Sequence, residues 1–139
     1  TLKARCQGDD ETFQAAMHDA VRSVLFHRSP LARCAGIEAV AAVASHGDAA
    51  ATELILTMLC DPDEDVRWSL KRGLLRVAPR GHAGAVQACI DGARDKDEQV
   101  RIAAIQALAS VTERGHSEAL SALKNCCKHD ESADVVKVA

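Results

Sequence analysis

Residues 61–67 read DPDEDVR, and residues 95–101 read DKDEQVR, 34 positions further on. At that offset Asp61 falls on Asp95, Asp63 on Asp97, Val66 on Val100 and Arg67 on Arg101. Leu74 falls on Leu108, Val77 on Val111, and Arg80-Gly81-His82 on Arg114-Gly115-His116. Shifted backwards, Arg67 lands on Arg33, Leu74 on Val40, Val77 on Val43 and Gly81 on Gly47. Shifted forwards, Asp95 reaches Asp130 and Val100 reaches Val135 after one inserted residue. A constant period in this range is the mark of a solenoid, because one such unit cannot bury its own apolar face and must stack on its neighbours.

Each unit reads as two helices. Val86, Cys89, Ile90 and Ala93 recur at helical spacing over 83–94, and Val100, Ala103, Ala104, Ala107, Leu108 and Val111 do so over 98–113. Ile102, Ile105 and Ala109 add a second stripe to the latter, as expected of a helix covered on more than one side. Asp97 is placed to cap that helix, with Glu98 in its first turn, and Gly115 fits a C-cap with positive φ. Ser29-Pro30 reads as a cap followed by proline at the first helical position, and Gly47 closes that helix. Residues 49–60 form the next first helix. A further helix over 11–28 carries Phe13, Ala16, Met17, Ala20, Val21, Val24 and Leu25. No stretch alternates as a strand would. The expected units are 12–47, 48–81, 82–115 and 116–139, the last incomplete, within a single domain.

Composition agrees. Apolar residues are 47% of the 139, mostly small or aliphatic, with one Trp, two Phe and no Tyr. A net charge of −3 supplies no global field for nucleic acid. No apolar run reaches the roughly 20 residues of a membrane span. The start, TLKARCQGDDE, has no apolar signal core and no initiator Met, which suggests a fragment or part of a longer array. The six cysteines match neither a disulfide framework nor a paired zinc motif, so a cytoplasmic or other reducing intracellular compartment is expected, without disulfide or zinc.

The Asp-x-Asp-x-x-Val-Arg turns, each followed by an Ala-rich helix, a Gly and another helix, resemble HEAT repeats, in particular the short HEAT-like or bilin-lyase-type variety. The resemblance covers about residues 12–139. Tetratricopeptide repeats share the period but want aromatics at fixed positions, and ankyrin repeats would show Thr-Pro-Leu-His. The resemblance implies an all-α, right-handed superhelix of antiparallel helix pairs, with the second helices lining the concave side. It implies that Asp63 and Asp97 cap, and that Arg33, Arg67 and Arg101 form a ladder between repeats, each reaching an acid or turn carbonyl of a neighbour. The ladder should weaken at both ends, where HRSPLAR has no Asp pair and DESADVV puts Val136 in the arginine's place.

No constellation for catalysis stands out, and no cofactor is expected. His82 and His116 hold one repeat position, which suits either a pair of ligands or, better, polar residues opening helices. HEAT-like iron hydroxylases carry His-Glu pairs, and no His here precedes Glu. Cys126 and Cys127 point about 100° apart on a helix, so they do not chelate one ion with His129; they align with the core residues Met58 and Leu59. The acidic turns lack the length and central Gly of a calcium loop.

One feature breaks the repeat. Residues 66–80, VRWSLKRGLLRVAPR, carry Arg67, Lys71, Arg72, Arg76 and Arg80, and no acid interrupts them through Ile90. Trp68 aligns with Cys34 and Ile102, and Trp68, Arg72 and Arg76 share a helix face. The structural reading packs Trp68 between units, with Gly73 making room. The functional reading is a basic patch of Trp68, Lys71, Arg72 and Arg76 that grips an acidic segment of another protein. A non-catalytic scaffold or adaptor is therefore the expected function. The alternatives are an accessory or chaperone subunit of bilin-lyase type, or a nucleic-acid-binding domain like the HEAT-like glycosylases.

Overall fold

The computed structural model describes residues 19–139, and every regular element among them is an α-helix. A helical stretch over 19–25 (α1) is followed by α2 (Pro30–Val43), α3 (Ala49–Leu56), α4 (Glu64–Val77), α5 (Ala83–Gly92), α6 (Glu98–Val111), α7 (Ser117–His129) and α8 (Ala133–Val138). Phe13, Ala16 and Met17 lie outside the described residues. Helices α2, α4, α6 and α8 pack one on the next as a row, and α3, α5 and α7 form a second row against it.

The helices start where short polar side chains can bond free backbone N–H groups. Asp48 accepts from the Ala51 N–H, Asp63 from Asp65 and Val66, Asp97 from Gln99, and Ser132 from Val135. Ser29 stands at the N-cap of α2 with Pro30 behind it, yet its side chain makes no capping bond. Proline already removes one free N–H there. The second helices end in extended residues, Ala44, Ala78 and Thr112, and not in glycine. Gly47, Gly81 and Gly115 come three residues later, at φ 91°, 80° and 82°. Their left-handed backbone turns the chain into the cap of the following helix, and a side chain there would be strained.

These turns also bond the units together. The Gly47 N–H donates to the Val77 carbonyl and the Gly81 N–H to the Val111 carbonyl, both at 2.7 Å. Each bond satisfies a carbonyl left open at the end of the next unit's second helix. Beside them His46 Nδ1 donates to the Arg76 carbonyl at 3.1 Å, and Arg80 reaches the Thr112 carbonyl at 3.4 Å.

The core runs between the two rows as a continuous strip that includes Leu25, Ile37, Ile55, Leu70, Leu74, Leu108 and Val135, all with no exposed area. Each large side chain buried this way contributes about 1.5–3 kcal/mol. Small residues set how closely the helices approach. A Cβ on Gly73 would sit 2.9 Å from Ile37 Cγ2 and 3.3 Å from Ile55 Cδ1, and one on Gly92 would sit 2.8 Å from the Ala104 Cβ. Gly73 therefore makes room for Ile37 and Ile55, not for Trp68 as the sequence suggested.

Gly73→Ala tests this packing. A gain of up to about 1 kcal/mol in helix propensity is set against overpacking worth about 1–3 kcal/mol. We expect a net loss of stability by urea denaturation; a more stable variant would show that Ile37 yields freely.

Candidate functional site

Arg33, Arg67 and Arg101 follow the caps at the start of the second helices, and each donates through Nη1 to carbonyls of its own turn. Arg33 reaches His27 and Arg28 at 2.9 and 3.1 Å, Arg67 reaches Asp61 at 2.7 Å, and Arg101 reaches Asp95 and Lys96 at 3.0 and 3.1 Å. Two of the three also fork onto a carboxylate of the next unit. Arg33 donates to Asp61 at 2.7 and 2.9 Å, and Arg101 to Asp130 at 2.8 and 3.0 Å. Both forks are largely shielded from water, a setting in which planar charge-assisted pairs hold geometry well. The pairing thus departs from the expected pattern. It is present at the first and last junctions, because neither fork needs an Asp in the first unit or an Arg in the last. At the middle junction Arg67 makes no ion pair among the described residues.

Bonding to Arg101 and to the Ser132 N–H holds the Asp130 carboxyl below its ordinary value, and bonding to Asp61 raises the Arg33 guanidinium.

The other sequence candidates fall into place. His82 Nδ1 accepts from the Ala85 N–H and His116 Nδ1 from the Ala119 N–H, so both rings are helix caps. They take the role that Asp48 plays one unit earlier. Cys126 is buried with its thiol toward the Ala93 carbonyl at 3.5 Å, but Cys127 is exposed, so only the first of the pair is a core residue. Cys89 is buried in apolar surroundings that push its thiol up to about 12. No group of three or more metal-ligating side chains converges among the described residues. No helix among them is long and apolar enough to cross a membrane.

Helix α4 carries the basic stretch only as far as Val77; Arg80 lies beyond it, in the turn after Pro79. Its outer face presents Trp68, Arg72, Leu75 and Arg76, all exposed. Trp68 is not packed between units: it is 49% exposed, with Lys71 Nζ 5.0 Å from its ring centroid. A cation over an indole face is attracted by its quadrupole. Arg72 lies 3.7 Å from Glu38 of α2, with both side chains more than half exposed, a pair worth little in water. Leu75 is 50% exposed where the repeat elsewhere has Ala41 and Ala109. The 34-residue alignment marks it as the odd large residue at this position.

A groove of about 110 Å³ lies beside Trp68, bounded by α4 and α6. A wider one, about 710 Å³, lies among residues 19–25, the end of α2 and α3, with both apolar and charged walls.

Stacked helix pairs joined by inter-unit bonds at the ends of their second helices define an α-solenoid. A family model described as HEAT repeats matches residues 53–139, more than half of the chain, and the protein belongs to the HEAT-repeat family. Comparison with curated proteins returned no match. HEAT repeats generally serve as protein-interaction scaffolds.

Two predictions follow from these contacts. Protonating Asp130 must first break its fork to Arg101, so the stabilisation it confers is full above the ordinary carboxylate range, near pH 4, and is lost as pH falls through the lowered folded value. Urea midpoints measured from neutral pH into acid should therefore fall less steeply in Asp130→Asn than in the wild type. For the caps, His82→Ala should cost about 0.5–2 kcal/mol, while His82→Asp should preserve stability. Equal losses in the two variants, read by thermal denaturation, would count against capping.

Proposed function

We propose that this protein is a non-catalytic scaffold that receives another protein on the row of second helices, at the outer face of α4. The observation that carries this reading is the half-exposed Trp68, set with Leu75 among Lys71, Arg72 and Arg76. Trp and Arg dominate the energetics of protein interfaces, since they combine large contact area with directional bonds. A surface apolar pair amid cations gains by being covered, and the cations favour a partner of opposite charge. The equivalent positions of the neighbouring units are Glu38 and Ala42, and Gln106 and Ser110, so the patch is local to α4.

A photo-crosslinking residue at Leu75, compared with one at Glu118 on the row of first helices, tests the assignment. Protein adducts should form from position 75 and not from 118. Adding Arg72→Glu with Arg76→Glu should leave helicity and melting nearly unchanged, because exposed charges contribute little to stability. It should abolish the adducts. Adducts that form equally from both rows, or that survive the charge reversal, would refute the reading.

A further inference from the structure

Arg67 is the exception among three equivalent arginines, and its surroundings say what is missing. It is 8% exposed, close to the burial of a core residue, yet its hydrogen bond among the described residues is the single one from Nη1 to the Asp61 carbonyl. No buried side-chain nitrogen among the described residues lacks a partner, so the remaining guanidinium nitrogens of this largely buried arginine still reach solvent and are free to bond an incoming carboxylate. Asp95 holds the register position of Asp61 and Asp130 and accepts from the N–H two residues on, at 2.8 Å, as they do, but it does not meet Arg67.

The interface itself explains the gap. Between α6 and α8 the Ser132 hydroxyl donates to the Glu98 carboxylate at 2.8 Å, across 34 residues. Between α4 and α6 the residues at that offset are Glu64 and Glu98. Two carboxylates cannot make this bond. The groove of about 110 Å³ lies at this junction, lined by Arg67, Trp68 and Lys71 of α4 and by Gln99, Ile102 and Gln106 of α6. Glu64 also borders it without pairing with Arg67. The volume equals that of roughly four water molecules, room for one side chain and not for a length of backbone.

We propose that this groove takes a glutamate or aspartate side chain from an acidic segment of a partner protein, with Arg67 forking onto the incoming carboxylate as Arg33 and Arg101 fork onto carboxylates of their own chain. Trp68 and Ile102 cover the apolar part of that side chain. Lys71 adds a second cation, and Arg72 and Arg76 extend positive charge along α4 for acids on either side. The proposal rests on the reading of the α4 face as a protein-binding surface and identifies its anchor.

The test uses Trp68, the one tryptophan of the chain, whose fluorescence reports this groove. The probe is an N-acetylated dodecapeptide, Glu-Glu-Leu repeated four times, with a twin in which every Glu is Gln. The Glu peptide should change Trp68 emission saturably at low salt and more weakly as salt rises; the Gln twin should not. Arg67→Met removes the anchor but also alters a buried residue, so the deciding variant is Gln99→Glu at the exposed edge of the groove. It supplies a carboxylate within the chain, and should leave melting unchanged or raised while weakening the Glu peptide at least tenfold. Arg72→Gln with Arg76→Gln should weaken it only a few-fold. Three results would each overturn the proposal: no response of Trp68 to the Glu peptide, equal binding of the Gln twin, or wild-type affinity in Gln99→Glu. None of the three bears on adducts from position 75, so the anchor and the scaffold reading fail separately.

Discussion

One backbone bond recurs at the same place in the first two seams among the described residues, and the stacking there depends on it. The N–H of a left-handed glycine, Gly47 or Gly81, meets the last open carbonyl of the neighbouring second helix, Val77 or Val111, at 2.7 Å. It is short and local, and it involves no side chain that could adopt another rotamer. The arginine forks act at the opposite ends of the same helices. Where both are present, between α2 and α4, the helices have little freedom to slide, and at that seam Gly73 of α4 sits closely against Ile37 of α2.

The division of labour between the two rows follows. The second helices carry the inter-unit bonds at their ends, and the positions of α2 and α6 equivalent to Arg72 and Arg76 hold a single charge, Glu38. Helix α4 departs from this on its outer face alone. Its inward residues, Val66, Leu70, Leu74 and Val77, are fully buried like their counterparts. Trp68, Arg72, Leu75 and Arg76 contribute nothing comparable to the core. Residues that depart from a repeat without serving the packing are where a binding role is most economically placed.

Much of this was readable from the chain because solenoid contacts are periodic and short in range. Caps act over two or three residues, and the apolar stripes repeat with the helix turn, so Asp63, Asp97 and the buried faces are visible in the sequence. The glycines are visible too, but their role is not. The conformation they need belongs to the turn entering the next helix, and the eye places them at the end of the last one. What cannot be read is the approach of one helix to another. Arg33, Arg67 and Arg101 look alike, each with an Asp about one unit on, yet two form forks and one does not. The junctions differ in sequence too: Glu64 and Glu98 stand at the offset where the next junction has Glu98 bonded to Ser132. That is a comparison between residues a whole unit apart, and it matters only once helices are stacked. Gly73 is similar: its neighbours Ile37 and Ile55 come from two other helices, and no local pattern joins them to it.

The uneven placing of the forks has a mechanical side. A row of stacked plates bends at the seam with the fewest fasteners. The first seam is riveted at both edges, by Arg33 to Asp61 and by Gly47 to Val77. The seam between α4 and α6 is riveted at the Gly81–Val111 edge, and no arginine fork closes its other edge among the described residues. That seam has fewer constraints than the first, with the glycine edge as its pivot, and a side chain entering the open edge would help set the angle between α4 and α6.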